Sequence, residues 1–181
     1  GKTNLALLMA ELALLDNPEM HLITNMTSLR NHPQDRTHVV ENYHKMEYLV
    51  SEFQRDWIIV LDELSSHASG YSSDRGDVEE HMRPFSRSLA KYSARLVNIG
   101  HEGDIHPTLR EFSDDFVLMS RDIEASRPDP DRDEYTAEFF AGVSDDGREP
   151  QDLRFSIPDV PPVGWSYNPD EQCRWSFEKP D

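Results

Sequence analysis

The sequence predicts an α/β fold in three layers, in which helices cover both faces of a parallel β-sheet. The apolar run over residues 57–61 does not alternate polar with apolar residues and is typical of a strand buried on both faces, and the mainly apolar run over 94–99 predicts a second buried strand. Segments with helical periodicity alternate with these runs, as in successive βαβ units. A chain of 181 residues is long enough for one domain with a sizeable core.

The predicted elements begin with a helix. Residues 5–15 are helix formers and are apolar nearly all round, so this helix should pack deep against the sheet and end at Asn17-Pro18. Apolar residues from Val40 to Phe53 recur at three- and four-residue steps, which predicts an amphipathic helix. In chain order we expect a helix over 5–15, a strand over 20–26, a loop over 27–38, a helix over 39–53, a strand over 57–61, a loop over 64–76, a helix over 78–92, a strand over 94–100, a short helix over 106–112 and a third core strand over 115–121. The helix over 78–92 should be interrupted or start near Pro84.

The character of the chain changes after residue 123. Residues 135–143 and 153–160 are β-like runs around an Asp-Asp-Gly turn, and we expect antiparallel edge strands there. Four aromatic residues lie among prolines and charges near the end of the chain, where they should pack on the body or on a neighbouring subunit. We therefore divide the chain into a core over 1–123, a β-strand extension of the same domain over 124–160 and an irregular aromatic tail over 161–181.

The chain is strongly acidic, with a formal net charge of −17 from 35 acidic and 18 basic residues. This balance argues against a broad basic face for nucleic acid or an anionic membrane. Only four of the 18 bases are lysines, so 14 are arginines. Abundant acids with scarce lysine favour a halophilic protein, and a merely soluble, mesophilic acidic protein is the alternative. In molar salt the Debye length falls to about 3 Å, which leaves local arginine clusters able to contact DNA.

Cys173 is the only cysteine, which excludes an intramolecular disulfide and a zinc site with several cysteines. No segment reaches the roughly 18 apolar residues of a membrane span and no signal peptide is visible, so we expect a cytoplasmic location. The sequence starts without Met, inside an apparent motif. We expect the first strand and the first half of that motif to precede Gly1.

Two short stretches carry the chemistry. Gly1-Lys2-Thr3, directly before the apolar helix, matches the last part of G-x-x-x-x-G-K-[ST]. In that loop backbone N–H groups at a helix N-terminus surround phosphates, the lysine reaches the terminal phosphates and the hydroxyl binds Mg²⁺. Asp62-Glu63 ends the buried run 57–61, at the edge where open α/β sheets place their ligands. Each signal is weak alone, and the two together are stronger.

Together these stretches resemble the Walker A and Walker B elements of P-loop NTPases, in the additional-strand (ASCE) class that has a second acid after the Walker B aspartate. The resemblance implies a RecA-like core that binds ATP and Mg²⁺, with Gly1 to Asn4 around the phosphates. It implies that Lys2 binds the β- and γ-phosphates, that Thr3 and Asp62 hold Mg²⁺, and that Glu63 activates the attacking water. Neighbouring residues of a strand face opposite ways, and we expect the turn after the strand to bring both acids to the site.

Further candidates follow the second apolar run. His101 resembles the polar residue at the tip of the sensor strand in this class, and a surface histidine on a loop is the alternative. Arg110 and Arg121 are candidates for an arginine finger acting in trans, and each is also compatible with an ordinary surface arginine. His67, His101 and His106 lack the spacing of metal ligands, so we expect no metal site there.

Walker A, Walker B with its glutamate, the sensor strand and the extra C-terminal strands resemble FtsK/HerA-type ATPases, which include DNA-pumping and viral DNA-packaging motors. Residues 62–70 and 100–103 are similar to ATPase-like proteins of haloarchaeal proviruses and plasmids. The resemblance covers roughly residues 1–123, and it departs where His101 stands in place of a Gln-type sensor.

This resemblance implies a Mg²⁺-dependent ATPase that couples hydrolysis to DNA movement as a homo-oligomeric ring, with the loop over 65–76 reaching toward the pore. The alternative is a nucleotide-gated module that does not hydrolyse ATP and whose aromatic tail binds a partner. A small-molecule kinase is a weaker alternative, because Glu63 and the lack of an evident arginine-rich lid count against it.

Overall fold

Helices and strands alternate from the start of the chain in a computed structural model that describes residues 1–64, 75–101, 105–122, 134–142 and 149–181. A 3₁₀ turn covers Gln34–Arg36, and a π-helical turn covers Val78–Met82. The helices and strands are α1 (Lys2–Asp16), β1 (Met20–Thr24), β2 (Thr37–Val39), α2 (Tyr43–Glu52), β3 (Asp56–Leu61), α3 (Arg75–Asp77), α4 (Arg83–Ser88), β4 (Ala94–Asn98), α5 (Pro107–Glu111), β5 (Asp115–Asp122), β6 (Glu134–Ala141) and β7 (Leu153–Ile157).

Four strands form a parallel sheet in the order β2-β1-β3-β4, which confirms the predicted α/β class. β3 is central and pairs with β1 on one side and β4 on the other. Every β3 residue after Asp56 is buried, as its unbroken apolar run predicts. The residues of β4 are only half-buried or exposed, because β4 is an edge strand of this sheet.

Alternate residues of β3 enter two separate cores. Ile58 and Val60 pack with α1, whereas Trp57, Ile59 and Leu61 pack with α2, the π-helical turn and α4. This alternation follows from the two-residue period of a strand, and it gives the predicted layer of helices on each face of the sheet. By the same two-residue period, the side chains of Asp62 and Glu63, which directly follow β3, would leave the strand toward opposite faces of the sheet.

The predictions for residues 37–39 and for the strand over 115–121 are wrong. The loop expected over 27–38 ends at residue 36, because β2 begins at Thr37 and pairs with β1. A strand of three residues is too short to produce a recognisable apolar run in the sequence. The strand over 115–121 does not join the parallel sheet, since β5 pairs antiparallel with β6, and β6 with β7, in a separate three-stranded sheet. An apolar run shows that a strand forms, and only pairing decides which sheet it joins. The predicted antiparallel strands at β6 and β7 form, but only β7 is an edge strand, because β6 lies between β5 and β7.

The tail over residues 161–181 crosses the sheet's carboxyl edge from one face to the other. Trp165 and Cys173 are buried in the core on the α1 side, whereas Trp175 and Phe177 are buried in the opposite core. The prediction that the tail aromatics pack on the body is therefore confirmed for these residues.

No helix in the described ranges is long and apolar enough to cross a membrane. Residues 65–74 of the predicted loop, His67 and the Asp-Asp-Gly turn lie outside the described residues.

Candidate functional site

The N-terminus of α1 lies at the carboxyl edge of the sheet. Gly1 is its N-cap residue, and the Leu5 N–H donates to the Gly1 carbonyl at 3.0 Å. In an α-helix the first N–H groups have no acceptor within the helix, and the helix dipole places partial positive charge there. Both properties suit an anion such as phosphate.

Thr3 and Asp62 meet at this edge. The Thr3 hydroxyl donates to Asp62 Oδ2 at 2.8 Å, and the Glu63 N–H donates to Asp62 Oδ1 at 2.8 Å. Hydroxyl and carboxylate oxygens are the ligands that Mg²⁺ prefers. The structure therefore brings together the two residues predicted to hold Mg²⁺.

The Asp62 carboxylate is in an environment that disfavours its charge. Burial is the main cause that raises the pKa of Asp62, and the nearby charge of Glu63 adds to it. Hydrogen bonds from Thr3 and Glu63, together with the charge of Lys2, oppose this increase only in part. A bound cation would reverse the balance, because its charge stabilises an adjacent carboxylate.

Asn25 fixes the backbone at the end of β3. Its side-chain oxygen accepts from the Asp62 N–H at 2.9 Å, and its side-chain nitrogen donates to the Asp62 carbonyl at 2.8 Å. Asn25 is fully buried, one residue past the end of β1. Sequence reasoning missed it, although a polar residue ending the strand next to the Asp62 strand was a usable signal.

The Glu63 side chain contacts the tail. Its φ is +56°, in the left-handed region that non-glycine residues rarely occupy. Glu63 Oε2 accepts a hydrogen bond from the Cys173 backbone N–H at 3.0 Å. A role for Glu63 toward a water molecule stays a prediction.

Lys2 and His101 approach each other, although 99 positions separate them in sequence. Lys2 Nζ lies 3.4 Å from His101 Nδ1, and both side chains are exposed. Lys2 comes from the first turn of α1, whereas His101 follows β4. The predicted phosphate-binding lysine and the predicted sensor histidine thus lie at one site.

Asn98 is a further polar residue at this edge that sequence reasoning missed. It ends β4 and pairs in register with Leu61 of β3. Its side-chain oxygen is buried and has no hydrogen-bond partner among the described residues. Buried acceptors without a partner are rare and costly, so Asn98 is a candidate contact for a ligand. The strand was predicted to end at residue 100, which placed His101 at its tip and left Asn98 within it.

Two tyrosines border the site. A Cβ atom at Gly1 would lie 2.6 Å from Tyr135 Cδ1, so a residue with a side chain would clash with this ring of β6. Burial raises the pKa of the Tyr167 phenol, and the negative charge of Asp62 contributes to the increase. The antiparallel sheet and the tail therefore each bring an aromatic side chain to this edge, which no motif in the sequence indicated.

The other predicted site residues have different surroundings. The Asn4 side chain donates to the Pro161 carbonyl at 2.9 Å and accepts from the Val163 N–H at 2.8 Å. The Asn4 side chain thus holds the tail in place, and any contact of Asn4 with a phosphate is left to its backbone. Arg110 is half-buried in α5 and Arg121 is exposed in β5, and their roles as arginine fingers stay predictions.

The histidines considered as metal ligands serve other purposes where they are described. His106 Nδ1 accepts from the Thr108 N–H at 3.1 Å and caps α5. Among the described residues, the carboxylate and imidazole atoms of Asp77, Glu80 and His81 lie within 4.8 Å of one another. This group is on α3 and the π-helical turn, and two of its three residues are exposed.

Comparison of the chain with models of protein families, with curated proteins and with solved structures finds no match.

Proposed function

We propose that this protein is a Mg²⁺-dependent ATPase of the P-loop class. The observation that carries the proposal is the 2.8 Å contact between the Thr3 hydroxyl and the Asp62 carboxylate. It joins the first turn of a helix that starts with Gly1-Lys2-Thr3 to the end of a central parallel strand, an arrangement that suits Mg²⁺ and phosphates together.

In this proposal Thr3 and Asp62 hold Mg²⁺, while Lys2 and the first turn of α1 bind the terminal phosphates of ATP. The rise in the pKa of Asp62, caused mainly by burial, supports a site that gains from a cation. Glu63 acts as the base toward the attacking water, and His101 and Asn98 contact the γ-phosphate or that water. Arg110 is the candidate arginine finger.

We further propose that ATP hydrolysis is coupled to DNA movement in a homo-oligomeric ring. This coupling rests on the resemblance to FtsK/HerA-type ATPases. The net charge of −17 requires any DNA contact to be local and made by clustered arginines.

Steady-state ATP hydrolysis by the purified protein, with and without duplex DNA, tests the proposal. Glu63→Gln should lower kcat by about 100-fold or more and leave ATP affinity within twofold, because the base is lost while the phosphate contacts remain. Lys2→Ala should weaken ATP binding itself. ATP hydrolysis that responds neither to DNA nor to Glu63→Gln would overturn the proposal of a DNA motor.

A nucleotide-gated module without hydrolysis is the second candidate. The hydrogen bond that engages Glu63 Oε2 with the tail favours it, because a nucleotide could release or strengthen that contact. Burial of Trp165, Trp175 and Phe177 counts against a tail that offers these rings to a partner. Tight ATP binding without turnover, together with loss of partner binding on tail deletion, would identify this module.

A further inference from the structure

The tail contacts the residue proposed as the catalytic base. The backbone N–H of Cys173 donates to Glu63 Oε2 at 3.0 Å, across 110 positions of sequence. Asn25, which holds the backbone of Asp62, also donates to the Arg174 carbonyl at 3.4 Å. Two consecutive tail residues therefore contact the β1 and β3 ends from which the site is built.

The segment over residues 171–174 is held in place by Glu171. The Glu171 carboxylate accepts hydrogen bonds from the backbone N–H and hydroxyl groups of both Thr27 and Ser28, in the loop after β1. Burial alone would raise the pKa of Glu171, but these hydrogen bonds hold it below its usual range. An acceptor with this many donors is a firm anchor, because hydrogen bonds to a charged group are roughly twice as strong as neutral ones.

A cleft of about 850 Å³ borders the same contact. It is lined by Glu63, by Glu41 and by the tail from Gln172 to Ser176. The indole N–H of Trp175, which also lines the cleft, is buried without a hydrogen-bond partner in the described part of the chain. Glu63 therefore borders a cleft that has room for water.

We propose that the tail segment over residues 171–174 is a positioning element of the site. The Cys173 N–H fixes one oxygen of the Glu63 carboxylate, and Glu171 fixes the segment. This inference rests on the proposed ATPase function. A catalytic base must be held within about 0.5 Å and about 20° of its productive geometry. Glu63 lies beyond the end of β3 with a left-handed backbone, so the strand itself does not fix its carboxylate.

The central experiment removes a single N–H. An ester in place of the Gln172–Cys173 peptide bond, made by incorporating the α-hydroxy analogue of alanine at position 173, is compared with Cys173→Ala. Both proteins have the same side chain, and the ester replaces the N–H donor to Glu63 with an oxygen. We expect the ester to lower kcat about tenfold relative to Cys173→Ala, with the KM for Mg²⁺-ATP within twofold. Equal kcat values would overturn the proposal.

A second pair tests the anchor and does not depend on the ester folding. Glu171→Ala should lower kcat about tenfold at constant KM, and Glu171→Gln should restore part of it, because an amide oxygen still accepts from the N–H groups. Asp170→Ala is the matched control, since Asp170 is an exposed neighbour. If Glu171→Ala changes only the melting temperature, Glu171 has a structural role alone and the positioning role is wrong.

Amide hydrogen exchange at Cys173 separates this inference from the proposed function. The Cys173 N–H should exchange at least tenfold faster in Glu63→Ala than in the unchanged protein, whether or not ATP is hydrolysed. Unchanged exchange would overturn the contact itself. Faster exchange in a protein that hydrolyses no ATP would keep the contact and overturn both its catalytic role and the ATPase.

Discussion

The hydroxyl of Thr3 and the carboxylate of Asp62 are joined by a 2.8 Å hydrogen bond, although 59 positions separate them in sequence. The contact couples the first turn of α1 to the end of β3. It also compensates in part for the burial that raises the pKa of Asp62. Several consequences for metal binding and for stability can be measured directly.

Thr3→Val should weaken Mg²⁺-ATP binding about tenfold or more, because valine has the shape of threonine but no oxygen for the metal. It should also lower the free energy of unfolding by about 1–2 kcal/mol, since one Asp62 oxygen loses its donor. Thr3→Ser keeps the hydroxyl and is the matched control. Titration calorimetry and thermal unfolding measure the two effects, and a valine variant that binds as tightly as the serine variant would exclude Thr3 as a ligand.

Asp62→Asn should raise the melting temperature at pH 7 in the absence of Mg²⁺. Burial raises the pKa of Asp62 above its ordinary value of 3.8, so the folded protein binds this proton more tightly than the unfolded chain. The resulting stabilisation is present at low pH and is lost as the pH rises through the folded pKa, which leaves a destabilising charge at pH 7. Asparagine carries no such charge.

The difference in melting temperature between Asp62→Asn and the unchanged protein should therefore shrink as the pH approaches 4. Millimolar Mg²⁺ should also shrink it, by stabilising only the protein that keeps the carboxylate. Thermal unfolding from pH 4 to 7.5 measures both trends. An asparagine variant that is less stable at every pH would show that the carboxylate's hydrogen bonds outweigh the cost of its burial.

His21 and His38 should make the protein less stable below about pH 6.5. Their rings are hydrogen-bonded, with His21 Nδ1 3.0 Å from His38 Nε2, and Arg55 Nη1 lies 2.8 Å from His21 Nε2. Burial first, and then the charge of Arg55, lower the pKa of both histidines. The charge of Arg36 also lowers the pKa of His21, whereas the charge of Asp35 raises it.

A histidine with a lowered folded pKa contributes stability above its unfolded pKa of 6.5 and loses it as the pH falls. The double variant His21→Gln, His38→Gln should therefore show a smaller fall in melting temperature between pH 7 and 5 than the unchanged protein. Identical pH profiles for the two proteins would contradict this role.

Concentrated salt should stabilise the protein if it is halophilic. With a net charge of −17, self-repulsion destabilises the compact state, and raising KCl from 0.1 M to 1 M shortens the Debye length from about 10 Å to about 3 Å. We expect the melting temperature to rise by about 5 °C or more over this range, as followed by circular dichroism. A flat response would favour the acidic mesophilic protein, and sucrose at equal osmolality controls for solute exclusion.

The sequence was sufficient for the centre of the fold, because β3 and α1 are each specified by local patterns. An unbroken apolar run followed by Asp62-Glu63 is typical of a strand that is buried on both faces and ends at a ligand-binding edge. Gly1-Lys2-Thr3 before an apolar helix likewise marks the N-terminus of that helix. The proximity of Thr3 and Asp62 was therefore predictable from these two motifs.

The sequence by itself determined which residues stand at the end of β3 and at the start of α1. Only the tertiary structure decided what these residues meet besides each other. Neighbouring side chains at a strand end differ in direction, so Asp62 accepts from the Thr3 hydroxyl of α1, whereas Glu63 accepts from the Cys173 N–H of the tail. Local patterns carry no information about Glu171, Asn25 or Tyr135 at this edge, because contacts between distant segments depend on how sheet, tail and antiparallel strands pack together.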